Sequence, residues 1–270
     1  MTQFDADIAV TRETPGVYST LIRDNWNVQI GPNGGYIAAI LLNGMQTELG
    51  DSSRDVRGIT FHFLSASTPG PANLEISIEK IGRTFATVSG KMFQGDRTIA
   101  MVLATFAPAR TSTVFCDFTM PDVPLPGEIP DDLWMSPDMP GHSPFRNHYD
   151  QRLAIGPTPP RQTNQARVGG WTRLRELRPF DALSLTAISD SWYPSLFARD
   201  IPPLSAPTID HTVHFFCDSP CSETDIDSYV LVEFETSLVQ SGFLQEDGKI
   251  WAPNGKLLAQ SRQLALMVPD

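Results

Sequence analysis

Cysteine is scarce in this chain, with three among 270 residues. Cys116, Cys217 and Cys221 form an odd, thinly spread set, which argues against a disulfide framework and fits separate reduced thiols in a cytoplasmic protein. Cys217 and Cys221 stand close together in FFCDSPCSE, but no second Cys or His pair at finger-like spacing completes a zinc site, so no metal is expected. Positive charge is also short: 20 Lys and Arg against 31 Asp and Glu give a formal net charge of −11. Nucleic-acid binding needs clustered cations that displace counterions from phosphate, and no basic run occurs. No stretch reaches the roughly 18–20 uninterrupted apolar residues of a membrane helix. The N-terminus, MTQFDADIAV, carries acidic residues where a secretory signal carries basic ones. Also missing are a G-x-S-x-G elbow, an H-E-x-x-H pair and a phosphate-cradling glycine loop, which leaves α/β-type serine hydrolysis, zinc proteolysis and nucleotide binding without support.

What is present is ordinary globular text, 41% hydrophobic and 19% charged, enough for two cores of about 100–130 residues each. Proline is dense from 111 to 165, in DVPLPGEIPDDLW, SPDMPG and GPTPPR. A connection over 111–145 therefore separates an N-terminal domain, 1–110, from a C-terminal domain, 146–270, which opens with a strand candidate at HYDQRLAI.

The two outer segments repeat one pattern. LEISIEKIGRTFATVSGKMFQGDRTIAMVLATFAPA and LVEFETSLVQSGFLQEDGKIWAPNGKLLAQSRQLALMV each read as three consecutive strands with short turns, marked by GD and NG. In the second, EDGKIWAPNG reads as the loop between the last two strands. Upstream of each lies one apolar helix candidate, GGYIAAILLNGMQTEL and FDALSLTAISDSWYPSLF, followed by a strand, RGITFHFLSA and TIDHTVHFF. Such a recurrence implies internal duplication. The first helix is apolar on nearly every face and must be buried; an antiparallel sheet curled around it satisfies that need. The expected fold class is α+β, a double hotdog: two antiparallel sheets, each wrapped around a central helix, fused in one chain.

Here the sequence resembles the acyl-CoA thioesterase II (TesB-like) family of double-hotdog enzymes. The first copy matches at WNVQIGPNGGYIAAILLNGM, FHFLSASTPG and GRTFATVSGKMFQGDRTIAMVLATFA, and the second at ISDSWYPSLF, TIDHTVHFF and GKLLAQSRQLALM. The resemblance implies hydrolysis of acyl-CoA to free acid and CoA, without a cofactor, by a water held between an Asp, a Thr and a Gln. These fall on Asp190, Thr208 and Gln263. It further implies an acyl-CoA substrate; the alternative is a binding protein of the same fold that does not hydrolyse. A hotdog dehydratase is a third reading, weakened because its Asp/His helix pattern is missing. Homodimers are conceivable, since sheet edges invite pairing.

The residues can also be weighed alone. Asp190 sits in a helix candidate among Leu183, Ala187, Ile188, Trp192, Leu196 and Phe197. Such a carboxylate either turns out to water or is buried with partners, and partial burial would raise its pKa toward that of a general base. Thr208 is either a packing residue of a strand or a site hydroxyl. Asp210, two residues on, is expected on the same strand face and rivals Asp190. Gln263 interrupts an apolar strand and needs partners if buried. Gly34, Gly35 and Tyr36, at the start of the first helix, are candidates for substrate binding, because glycine lets a main chain approach a ligand and its amides can face a developing oxyanion. Aligning the last strands sets Ala104 opposite Gln263, so one site per chain is expected.

Overall fold

The computed structural model describes residues 1–129, 142–158, 162–199 and 204–269. SPDMPG, and part of the 111–145 connection with it, lies outside them. The first half contains α1 (Gln3–Asp7), β1 (Thr11–Thr14), β2 (Val17–Ile22), the short β3 (Asn27–Val28) and β4 (Gly31–Pro32), α2 (Gly34–Leu49), β5 (Asp55–Phe63), β6 (Gly70–Ile81), β7 (Ala86–Gln94) and β8 (Arg97–Ala107). The second contains β9 (Tyr149–Ile155), β10 (Arg167–Leu174), α3 (Ala182–Ile188), β11 (Leu204–Ser205), β12 (Thr208–Phe215), β13 (Val230–Gln240), β14 (Phe243–Trp251), β15 (Leu257–Leu266) and β16 (Val268–Pro269).

Twelve of these strands form one antiparallel sheet in the order β1-β2-β6-β7-β8-β5-β12-β15-β14-β13-β10-β9. Read from the centre outward, the two halves have the same topology: β5 and β12 correspond, then β8 and β15, β7 and β14, β6 and β13. The duplication is thus visible in the strand order. Where two separate sheets were expected, the halves are joined edge to edge, with Phe61 opposite His211 and Ile59 opposite Val213. This junction removes an edge from each half that would otherwise present unpaired backbone groups.

α2 lies against β2, β6 and β7. Ten of its residues are buried, from Gly35 to Met45, as its all-round apolar text requires. Asn33 caps its start by accepting from the Tyr36 amide at 3.0 Å, and Gly50, at φ 62°, ends it in the left-handed conformation.

The second helix is shorter than its sequence suggests. A helix over 180–197 was expected, but α3 stops at Ile188 and the chain resumes only as a 3-10 turn over Ser195–Ala198. Local hydroxyls explain the stop. Ser189 Oγ donates to the Thr186 carbonyl and Ser191 Oγ to the Ile188 carbonyl, competing with continuation of the helix, and Pro194 follows. Asp190 therefore stands just beyond the helix, on a turn.

Two further expectations change. EDGKIWAPNG is mostly strand: β14 runs to Trp251 and only 252–256 turns, closed by the Ala252 amide on the Lys256 carbonyl. Gly248, inside the expected loop, lies mid-strand, where a Cβ would come 2.8 Å from the Phe234 ring and closer still to Ser261 Oγ. Cys217 and Cys221, expected as separate thiols, are joined as a disulfide; the loop after β12 folds back until their Cα atoms are 5.4 Å apart, within bridging range. Before residue 130 the proline-rich connection packs on the second half. Trp171 Nε1 donates to the Pro124 carbonyl at 2.8 Å, and Met120, Val123 and Ile129 cover Trp171, Leu231 and Trp251. No described helix is long and apolar enough to cross a membrane.

Candidate functional site

The turn after α3 meets the start of α2, so the carboxylate of one copy is held by the backbone of the other. Asp190 Oδ2 accepts from the Gly35 amide at 2.8 Å and from Asn33 Nδ2 at 3.0 Å. Asn33 Nδ2 also reaches the Asp190 carbonyl at 2.9 Å. The glycines are needed for this approach: a Cβ on Gly34 would lie 3.0 Å from Asp190 Oδ2, and one on Gly35 would lie 2.7 Å from the Ala187 carbonyl. The pair thus brings main chain against a carboxylate, and the Gly35 N–H is committed to that carboxylate. Tyr36 points elsewhere. Its ring stacks on Trp26 at 4.7 Å, and its hydroxyl donates to the Asp7 carbonyl and accepts from the Arg23 amide, which makes it part of the first core and separates it from the two glycines.

The electrostatics of Asp190 are a contest. The residue keeps partial exposure, yet its carboxyl group sits deep in protein, and burial pushes its pKa up to about 7 from an ordinary 3.8. The Gly35 amide and Asn33 pull it down, and the nearby Glu246 carboxylate pushes it up. Charge at a helix start is favoured by the aligned amides, but here desolvation is the larger effect.

Thr208 and Gln263 come together. Thr208 Oγ1 donates to Gln263 Oε1 at 2.7 Å. Gln263 is 8% exposed and uses both ends of its amide, since Nε2 donates to Glu246 Oε1 at 2.5 Å. Glu246 Oε2 accepts from the Ser195 amide, also at 2.5 Å. Glu246 is buried, and burial raises its pKa above the ordinary carboxylate range. No hydrogen bond joins Asp190 directly to Thr208 or Gln263 among the described residues; the two clusters meet through the field of Glu246 and through Ser189. Ser189, next to Asp190, lies 2.8 Å from His211 Nε2, and His211 is the strand neighbour of Gln263.

Asp210 is separated from this group by a β-bulge. The register shifts between Thr208 and Asp210, so a separation of two residues no longer places both on one face. Thr208 turns inward to Gln263, while Asp210 pairs with the exposed His62. Glu246 escaped the sequence reading because its strand was taken for a loop; the alternation of Leu244, Glu246 and Gly248 on one face of β14 was the available signal. The matching inner row of the first copy, anchored on Ala104, is Ile59, Ala104 and Val88. Against it stand His211, Gln263 and Glu246, so the polar set belongs to the second copy alone.

The sequence profile of the acyl-CoA thioesterase N-terminal domain matches residues 22–107, and that of the C-terminal domain matches residues 123–267. The chain belongs to the acyl-CoA thioesterase family. No curated protein matches it. Among solved structures it is similar to a conserved hot dog fold protein of unknown function from Alicyclobacillus acidocaldarius, at 23% identity and TM-score 0.91 over 100% of this chain and 99% of that one. It is also similar to a tesB protein of Mycobacterium avium subs paratuberculosis, at 17% identity and TM-score 0.76 over 98% of both chains. A third is the acyl-CoA thioesterase II TesB2 of Mycobacterium marinum, at 19% identity and TM-score 0.76 over 99% of this chain and 98% of that one. These likenesses carry the hotdog fold, and the family match agrees with the resemblance drawn from the sequence.

Proposed function

We propose that this thioesterase-family chain hydrolyses acyl-CoA, with Asp190 as general base and Thr208 and Gln263 orienting the water. The observation that carries this reading is the Asp190 carboxylate, anchored through Oδ2 by Asn33 and Gly35 and pushed up to about 7. That value gives substantial ionised base at neutral pH with real affinity for a proton. Oδ1 carries none of these bonds and is the oxygen that takes the water proton. Thr208 spends its only hydrogen on Gln263, so toward a water it acts as an acceptor.

In the step that follows, the water oxygen bonds to the thioester carbonyl carbon while one of its protons passes to Asp190. The tetrahedral intermediate collapses by breaking the C–S bond. CoA leaves as thiolate and takes up the proton held by Asp190, giving free acid and CoA thiol and restoring the base. Thiolate is a good leaving group, so no strong acid is needed. The Gly34–Gly35 turn serves as the support that fixes the base.

The test is thiol release from a panel of acyl-CoAs by wild type and Asp190→Asn. Release by wild type and a loss of about 100-fold or more in kcat for the variant support the reading. Equal release by both removes Asp190 as base, and acyl-CoA binding without release replaces hydrolysis by the binding-protein alternative.

A further inference from the structure

Glu246 is a carboxylate with no cation. It is 5% exposed, and among the described residues no Lys or Arg forms an ion pair with it. An unneutralised buried carboxylate is a stability liability, and a glutamine of the same shape would fold with less cost. What an ionised carboxylate offers that an amide does not is a pair of oxygens that only accept hydrogen bonds, and the N–H donors of Ser195 and Gln263 aimed at Glu246 favour that form against the burial. Both are used: Oε2 by the Ser195 amide and Oε1 by Gln263 Nε2.

That property propagates. Facing an obligate acceptor, Gln263 must present its NH₂ to Glu246 and its carbonyl oxygen to Thr208. Thr208 then donates its hydrogen to Gln263 and keeps only lone pairs for a third partner. A water that donates one hydrogen to Thr208 and the other to Asp190 Oδ1 has its own lone pair free to attack. In the reversed chain Gln263 would donate to Thr208, the Thr208 hydrogen would turn to the water, and the attacking lone pair would be engaged.

We propose that Glu246 is a positioning residue that sets the direction of the Gln263–Thr208 hydrogen-bond chain, so that the reacting water meets acceptors alone. The proposal rests on the hydrolase reading above and adds a residue to it. It predicts that what matters at the pair Glu246 and Gln263 is the pattern of donors and acceptors, and that which residue carries the carboxylate is secondary. The two are direct cross-strand neighbours on β14 and β15, so they can be exchanged. In the double variant E246Q/Q263E, the amide placed on β14 can accept from Ser195 and donate across to β15. The carboxylate placed on β15 then accepts from that amide and from Thr208, so the Thr208 hydrogen is still held away from the water.

The experiment measures kcat and KM for thiol release by wild type, E246Q, Q263E and the exchanged double variant, with thermal melts to establish folding. The expected result is a fall in kcat of about tenfold or more in each single variant, with KM within about threefold, and recovery of kcat in the exchange to within about fivefold of wild type. An unchanged kcat in E246Q overturns the proposal, and because that substitution is isosteric this arm decides even if the double variant fails to fold. A folded double variant no better than the worse single also overturns it, because the amide of Gln263 itself would then be required. A wild type that releases no thiol removes the hydrolase reading, and this proposal with it.

Discussion

Replacing Asp190 by asparagine should make the protein slower and, above neutral pH, sturdier. The sign follows from proton counting. The folded-state pKa of Asp190 is about 7 against an ordinary 3.8. Between those values the folded protein holds a proton that the unfolded chain has released. Unfolding stability therefore falls as pH rises from about 4 to 7 and stays low above. At about 1.36 kcal/mol per tenfold, ionising this carboxyl in place costs up to roughly 4 kcal/mol. Asparagine cannot ionise, and its Oδ1 can still accept from Gly35 and Asn33, so the variant escapes the cost. If relaxation halves it, about 2 kcal/mol remains, which for a chain of this size is about 4–8 °C in Tm. Thermal melts of both proteins at pH 8 and pH 5 test this, alongside thiol release. The expected pattern is a Tm advantage for the variant at pH 8 that shrinks at pH 5. A variant whose Tm difference is the same at both pH values would refute the claim that Asp190 is ionised at a cost in the folded protein.

Three further perturbations separate the parts of the site. Asn33→Ser keeps an N-cap for α2 but removes one of the two donors on Asp190 Oδ2 together with the bond to the Asp190 carbonyl; the carboxylate loses support, so the acidic limb of the kcat/KM profile should move to higher pH, with a stability loss of about 1–3 kcal/mol. Thr208→Val preserves shape and leaves Gln263 Oε1 without its 2.7 Å donor, so kcat should fall about 10–100-fold with a stability loss of about 1–3 kcal/mol in denaturant titration. Gly35→Ala would drive a Cβ to within 2.7 Å of the Ala187 carbonyl; α2 must then shift away from α3, and both activity and Tm should drop, by about 1–3 kcal/mol in stability.

Much of this was legible because the strong signals are local. The all-apolar text of GGYIAAILLNGM leaves a helix no choice but burial, and the hairpins at Gly95 and Gly255 carry the positive φ that their turn residues announce. What stayed hidden depends on partners distant in sequence. The end of α3 looked like continuing helix because Ser189 and Ser191 are neutral in a pattern of apolar spacing, and only their bonds to the Thr186 and Ile188 carbonyls stop it. Asp210 looked equivalent to Thr208 because alternation assumes an unbroken register, and a bulge has no sequence mark here. Glu246 was concealed by Asp247–Gly248, a dipeptide that normally turns. Gly248 is glycine for another reason, since Phe234 and Ser261 fill the space its side chain would need.

The two copies differ in the inner rows of their sheets. His211, Gln263 and Glu246 form an inner row where Ile59, Ala104 and Val88 stand in the other half. A buried amide left without partners costs about 1–3 kcal/mol, so a glutamine placed alone in the apolar row would be a burden. Gln263 is acceptable because Thr208 and Glu246 take both of its ends, and Glu246 because Ser195 takes the other half of its carboxylate. The polar residues of the second half therefore stand or fall together. Asp190 also needs something the first half provides only as support: the Asn33 side chain and the Gly35 amide, which hold its carboxylate. One copy carries the titrating groups and the other the fixed dipoles, and neither alone would assemble the pair.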